Sequence, residues 1–252
     1  MIMLLDIDSV FYKAVYKCVS FSDIREIVKE SKDQDTRLYY ESEVTRIAIS
    51  RVYKKVHEIT QYIEENFCEL YRVEMFMTTC TNNFRNEIEP NYKKSRKGNS
   101  RVRNVREFFK GNNVEYSDTL EADDMIANRA RELGKDNCLI ASIDKDLKQI
   151  GGNYWSFYTK STINDRGFRV SEYKQAKPIF ISEEEADTFL WSQMLIGDGV
   201  DDIKGIKGIG IKRADKLLRN ATNNFITVAR EYIKKGEKDR FYTNLRLLTL
   251  GD

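Results

Sequence analysis

The sequence predicts an α/β sandwich built on a mostly parallel sheet, with a smaller helical region behind it. Three observations carry that expectation. Short β-prone apolar runs alternate with helical periodicities over about the first 160 residues. Acidic residues recur just where those runs end, and open α/β sheets bind their ligands beyond the carboxyl ends of the strands. From Ser182 onward the pattern turns wholly helical. A chain of 252 residues can hold one large domain or a main domain with an appendage. The expected division is an α/β domain over residues 1–180 and a helical region over 181–252.

Met1 to Ile7 reads as the opening strand, with Asp6 at its end and Asp8 on the same face if the strand continues. The early acids interrupt the apolar start and argue against a signal peptide. Phe11 to Val19 follows as a helix, and residues 20–40 read as loop with a short helix. Val44, Ile47, Ala48, Val52, Val56, Ile59 and Ile63 recur at three- and four-residue spacing, which predicts a long helix from Glu41 to Phe67. Tyr71 to Met77 is the second strand. Residues 82–110 lose any core pattern and read on composition as a solvated loop. Asn113 to Tyr116 is a short strand, and a helix opens near Glu121 with Thr119 as its cap. Cys138 to Ile143 has the length of a buried strand. Tyr154 to Tyr158 is another, and Asn164-Asp-Arg-Gly167 has the chemistry of a hairpin turn. Ser182-Glu-Glu-Glu185 is a capping box opening a helix to about Leu195; further helices are expected over Lys212–Leu218 and in the tail after Ala221.

Two acidic clusters stand out, Glu121-Ala-Asp123-Asp124 and Asp144-Lys-Asp146. Like charges this close repel, and gathering five of them calls for a divalent cation. Hard oxygen donors without His or Cys suit Mg²⁺ or Mn²⁺ rather than zinc. An acidic first helical turn is equally the pattern of a solvated helix start. Eight basic residues lie between Lys93 and Lys110 against the single acid Glu107, although the net charge of the chain is only +2. A basic segment beside an acidic pocket points to a polyanionic substrate. Gly205-Ile-Lys-Gly208-Ile-Gly210 between two helices has the form of a helix–hairpin–helix turn. Its exposed N–H groups, with Lys204, Lys207, Lys212 and Arg213 around them, suit a phosphate backbone. Cys18, Cys68, Cys80 and Cys138 form no C-x-x-C pair, so neither a zinc ribbon nor a disulfide framework is expected, and reduced cytoplasmic thiols are. His57, the single histidine, lies in a helical pattern as a surface or packing residue, which disfavours histidine-based catalysis. No apolar run approaches the ~20 residues that span a bilayer.

Taken together these motifs resemble the 5′-nuclease family, the flap endonucleases and 5′–3′ exonucleases, and in particular its bacteriophage members. The resemblance rests on Leu4-Leu5-Asp6, on Phe84-Arg85-Asn-Glu-Ile-Glu-Pro90-Asn-Tyr92-Lys93-Lys-Ser-Arg96, on Glu121-Ala-Asp123-Asp124, on Ile143-Asp144-Lys-Asp146-Leu147 and on Gly197-Asp198 through Gly210. It covers nearly the whole chain in order. It implies a PIN-like 5′-nuclease sandwich with an arch over about 82–110 and a C-terminal helix–three-turn–helix. It further implies two Mg²⁺ or Mn²⁺ ions, one served by Asp6, Glu121 and Asp123, the other by Asp123, Asp144, Asp146 and Asp201, with Asp124 and Asp198 as outer carboxylates. Lys93 and Arg96 match the arch's basic pair and, with Asp123 and Asp146, are expected to carry the chemistry. Tyr92 and Lys94 are expected to touch DNA beside them. Gly205, Gly208 and Gly210 with Lys204, Lys207, Lys212 and Arg213 match the element that grips the duplex and that in relatives also holds K⁺. The implied substrate is DNA with a 5′ single strand or flap, and RNA in RNA–DNA hybrids, handled by a monomer in the cytoplasm (of a host, if phage-encoded) during replication or repair.

One departure is clear. Relatives place another Asp after the second strand, where this chain has Thr78-Thr79-Cys80-Thr81. Asp8 could substitute for it, or water could fill that coordination. Two other readings follow from the same residues: a PIN-type ribonuclease, which has no need of the glycine hairpin, and a DNA-binding relative that has lost its chemistry. If binding is mainly to phosphates, log affinity for duplex DNA is expected to fall against log salt with a slope of about −0.9 per neutralised phosphate. Fluorescence anisotropy across a salt series checks this, and a flat response contradicts a role for the arch and hairpin cations.

Overall fold

The computed structural model describes residues 1–17, 34–79, 83–95, 100–157, 159–163, 169–173 and 177–251. Its frame is a six-stranded sheet. β1 (Ile2–Asp6) lies at its centre, flanked by β2 (Arg72–Thr78) and β4 (Cys138–Ala141). β3 (Val114–Ser117) lies outside β2, and β5 (Gly152–Trp155) then β8 (Ile179–Ile181) lie outside β4. All pairs are parallel except β5 with β8. The chain winds outward from β1 through β2 to β3, then restarts on the other side with β4. The strand order therefore reverses between β1 and β4, and a crevice opens there at the carboxyl ends.

Alternation along β1 divides the core. Met3 and Leu5 face a cluster with α1 (Asp8–Lys17), α2 (Gln34–Asn66) and α4 (Ser100–Phe109). Leu4 faces the opposite cluster, built on Ile126 and Ala130 of α5 (Ala122–Leu133) and on Leu147 and Ile150 of a 3-10 turn (Lys145–Ile150). Full burial of each such large side chain contributes about 1.5–3 kcal/mol. The remaining elements are α3 (Phe84–Ile88), the antiparallel pair β6 (Thr159–Ile163) and β7 (Arg169–Tyr173), α6 (Glu183–Ile196), the short pair β9 (Gly197–Asp198) and β10 (Ile203–Lys204), α7 (Ile211–Arg219), α8 (Asn224–Lys234) and α9 (Lys238–Leu248). A third cluster joins Met194 and Leu195 of α6 to Ile206, Ile209, Tyr232 and Phe241, and takes in Tyr92.

Several sequence expectations need correction. The first strand ends at Asp6, and Asp8 already belongs to α1, so the two acids are not strand neighbours. The long helix starts at Gln34 rather than Glu41. Residues 100–109 form a helix rather than a solvated loop, because Val102, Val105 and Phe109 recur on one side and are buried against α1 and α2. Thr119 does not cap α5; its residue Asp124 reaches back to accept from the Glu121 N–H at 3.2 Å. The strand from Cys138 stops at Ala141 rather than Ile143, and Asp144, just beyond it, caps the 3-10 turn. The turn expected at 164–167 lies outside the described residues, although its flanks pair as a hairpin. His57 is exposed on α2. Among the described residues, no helix is long and apolar enough to cross a membrane.

A buried ion pair ties the ends of the fold together. Arg85 of α3, 1% exposed, donates to both oxygens of Asp124 at 2.6 and 2.7 Å. Its other N–H groups bond the carbonyls of Leu247 and Thr249, and the Gly251 N–H donates to Asp124 at 3.0 Å. Removing one partner strands a buried charge. Arg85→Ala and Asp124→Asn are each expected to cost about 3–5 kcal/mol in urea denaturation, whereas a loss within 1 kcal/mol would contradict this role.

Candidate active site

The crevice between β1 and β4 is a cavity of about 710 Å³ lined by eight carboxylates: Asp6, Asp8, Glu121, Asp123, Asp144, Asp146, Asp198 and Asp201. They arrive from separate elements. Asp6 ends β1, Asp8 opens α1, Glu121 and Asp123 stand at the start of α5, and Asp144 and Asp146 begin the 3-10 turn after β4. Asp198 lies on β9 and Asp201 in the turn that follows.

Each acid is held differently. Asp6 accepts from the hydroxyls of Ser9 at 2.7 Å and Ser142 at 2.6 Å, and from the Asp8 N–H at 3.1 Å. Glu121 accepts from the Tyr92 hydroxyl at 3.0 Å and takes Lys93 Nζ at 2.7 Å on both oxygens. Asp144 accepts from the Asp146 N–H, and the Asp144 N–H is fixed in turn by Ser142 Oγ. Asp146 takes Gln193 Nε2 at 2.8 Å. Lys145 Nζ lies 3.8 Å from Asp146 and 3.6 Å from Asp198. Lys93 Nζ lies 3.7 Å from Asp201.

Asp8 does stand beside the Thr78 position, but its oxygens are engaged. One accepts from the Thr78 N–H at 2.9 Å, and the other takes Arg106 of α4 at 2.8 and 2.9 Å. Thr78 Oγ1 in turn accepts from the Ala122 N–H at 3.0 Å, closing the start of α5. A hydroxyl thus does structural duty at the β2 end where a carboxylate would have added charge.

Burial and mutual repulsion raise the proton affinities here. Burial first, then Asp8, pushes Asp6 up to about 6. Burial and Asp144 push Asp146 up to about 7, and burial with Asp144 and Asp6 lifts Asp123 well above the ordinary range. Tyr92 is pushed up by burial and then by Glu121 and Asp201, so its phenol stays a donor.

The pocket suits a hard divalent cation by its donor set, all carboxylate with neither His nor Cys, and by this unneutralised charge. Among the described residues no three acids converge closely enough to hold an ion by protein contacts alone.

The other sequence candidates divide. Asp124 lies outside the pocket lining, its oxygens taken by Arg85 and Gly251. Tyr92 is only 6% exposed and faces Glu121, so stacking on a base is ruled out in this arrangement. Lys93 points into the pocket from a left-handed backbone (φ 54°), while Lys94 is exposed nearby. Arg96 lies outside the described residues. In the hairpin, Ile203, Ile206 and Ile209 are buried, while Lys204, Lys207, Gly208, Gly210, Lys212 and Arg213 are exposed. Gly208 has φ 85°, and a Cβ on Gly205 would lie 2.2 Å from the Ile196 carbonyl carbon, so both positions need glycine. Arg106, Lys145 and Gln193 are pocket residues to which motif reading gave no role of their own: Arg106 is one cation of a basic run, Lys145 the spacer between two acids, and Gln193 a single amide on a helix.

A mostly parallel sheet thus gathers carboxylates at its switch point, beside a basic segment. The chain belongs to the family described as "5'-3' exonuclease, N-terminal resolvase-like domain", whose model matches residues 1–177. It is 35% identical over 101 residues to the DNA polymerase I of Borreliella burgdorferi and 34% identical over 102 residues to that of Bacillus subtilis. Each match spans 39% of this chain and 11% of the polymerase. In fold it is similar to the T5 D15 protein co-crystallised with metal ions, with a TM-score of 0.63 at 15% identity over 98% of this chain and 88% of that one. It is similar also to a variant of the bacteriophage T5 flap endonuclease in a pseudo-enzyme-product complex with DNA and metal ions, with a TM-score of 0.62 at 15% identity and the same coverage.

The raised proton affinities set a pH dependence. Between about pH 4 and 7 the folded chain holds protons on Asp6 and Asp146 that the unfolded chain has released. Stability in EDTA is therefore expected to fall as pH rises through that window, by a few kcal/mol at about 1.4 kcal/mol per tenfold change in proton affinity. Urea denaturation at stepped pH checks this, and a rising profile contradicts it.

Proposed function

We propose that this protein is a divalent-metal-dependent, structure-specific 5′ nuclease, a 5′–3′ exonuclease and flap endonuclease acting on DNA near 5′ ends and single/double-strand junctions. RNA in RNA–DNA hybrids is a second substrate. The observation that carries this reading is the convergence of eight carboxylates on one crevice together with Lys93. Asp6, Glu121 and Asp123 would serve one ion, and Asp123, Asp144, Asp146 and Asp201 the other, with Asp198 close by. Two divalent ions, Mg²⁺ or Mn²⁺, bound there would supply an activated water and neutralise charge on the phosphoryl oxygens.

The chain's own residues have distinct parts. Lys93, already drawn to Glu121 and Asp201, would present positive charge to the scissile phosphate. Arg96 would act alongside it, and Lys94 would meet the backbone beyond. The hairpin N–H groups of Gly205, Gly208 and Gly210, ringed by Lys204, Lys207, Lys212 and Arg213, would hold the duplex phosphates, with K⁺ on the hairpin carbonyls. Asp124, with both oxygens engaged by Arg85 and Gly251, would secure the chain end rather than touch an ion. Residues 1–180 would thus form the nuclease part and residues 181–252 the duplex grip of a monomer working in the cytoplasm, a host's if it is phage-encoded.

One observation favours a second reading, a structure-specific binder with weakened chemistry: where a carboxylate is expected after the second strand the chain has Thr78-Thr79-Cys80-Thr81, and Asp8 beside Thr78 is bound to Arg106. Against this, a pure binder would gain from shedding the remaining repulsion, and the other acids are all kept. Mg²⁺-dependent cleavage of a 5′-labelled flap duplex separates the two. Short labelled products are expected from the native protein. Lys93→Ala should lower kcat about 10²–10³-fold, as loss of a transition-state charge donor does, and Asp123→Asn or EDTA should abolish product. Tight flap binding with no product in Mg²⁺ or Mn²⁺ would establish the binder instead.

A further inference from the structure

Among the described residues, Gln193 is the one pocket side chain with a half-used amide. It lies on α6, is 7% exposed and lines the crevice between Asp146 and the hairpin side. Its Nε2 donates to Asp146 Oδ1 at 2.8 Å, which fixes the amide's orientation, since a flipped amide would set its carbonyl oxygen against a carboxylate oxygen. The remaining oxygen, Oε1, is buried and has no hydrogen-bond partner among the described residues. Leaving such an acceptor unsatisfied is costly, and its neighbours Met194 and Leu195 show that α6 buries apolar side chains here without difficulty. A purely packing role would be met better by a methionine or leucine. A polar group kept at this cost beside a ligand-type carboxylate has the form of an outer partner that orients a metal's ligands and waters.

We propose that Gln193 is a positioning residue of the pocket: its amide N–H holds Asp146, and its carbonyl oxygen accepts a hydrogen from a water carried by the ion bound at Asp144 and Asp146. Asp146 is thereby fixed from two sides, by Gln193 on one oxygen and through its backbone N–H by Asp144. The inference rests on the metal-dependent reading above and names a residue in that site with no carboxylate of its own.

The test is Mn²⁺ binding to the full chain without DNA, followed by electron paramagnetic resonance of the free ion, beside urea midpoints for every variant. Gln193→Met removes donor and acceptor at nearly constant volume. It is expected to weaken one class of Mn²⁺ site about 10-fold or more, with the other class unchanged and the urea midpoint held or raised. Gln193→Glu keeps an acceptor oxygen and adds charge that attracts the ion, but it loses the N–H that holds Asp146; it is expected to weaken Mn²⁺ binding less than Gln193→Met does, which provides a second comparison if Gln193→Met folds poorly. Native-like Mn²⁺ binding by Gln193→Met, or equal weakening by both variants, overturns the proposal while leaving the nuclease reading intact. Absence of Mn²⁺ binding by the native protein overturns both.

Discussion

Repulsion among the crevice carboxylates is the constraint around which the rest of the structure is arranged. Strand order alone brings Asp6 and Asp144 to the same switch point, and the start of α5 then adds Glu121 and Asp123. Left alone, such a cluster would protonate or force its elements apart. The fold answers with local partners graded by position. Hydroxyls of Ser9 and Ser142 serve Asp6 deep in the crevice, donors that satisfy its oxygens without cancelling its charge. Nearer the mouth, the ammonium of Lys93 and the guanidinium of Arg106 serve Glu121 and Asp8. Raised proton affinity persists at Asp6, Asp123 and Asp146, so the compensation is incomplete where an ion would sit.

The Arg85–Asp124 pair solves a different problem with similar groups. Asp123 and Asp124 are adjacent in sequence, but successive helical residues point about 100° apart. One faces the crevice, and the other faces α3 and the chain's end. Because Arg85 also binds the carbonyls of Leu247 and Thr249 at the end of α9, the helix that carries Asp123 is clamped from its far side. The buried pair is bidentate, and all three guanidinium nitrogens and both carboxylate oxygens are engaged, which is the condition under which such pairs hold a fold in register.

Much of this was legible in the sequence. Five of the six strands of the main sheet showed as short apolar runs, β8 having gone unread, the capping box at Ser182 and Glu185 formed as read, and the acids lay at or beyond strand ends because that is where parallel sheets leave room. What stayed hidden depended on three-dimensional direction. α4 was obscured because three apolar residues, Val102, Val105 and Phe109, carry its buried face amid a dense run of cations. The burial of Tyr92 and the outward turn of Asp124 follow from which face each side chain takes, which spacing of single residues does not reveal. Gln193 gave no signal at all, since its importance lies in an unsatisfied atom rather than a residue type.

The clip between the basic segment and the hairpin joins the two halves of the molecule's chemistry. The Lys93 N–H donates to the Asp201 carbonyl at 3.1 Å, and the Ser95 N–H donates to Asp202 at 2.9 Å. Lys93 and Asp202 both take positive φ, 54° and 61°, at a cost of order 1 kcal/mol each. Strain on both sides of one contact is sustained only where surrounding structure imposes it. Here the buried Tyr92 ring on one side and the buried Ile203, Ile206 and Ile209 on the other fix the two backbones. The side chain of Lys93 therefore enters the crevice at a position set by the β9–β10 turn that leads into the glycine hairpin.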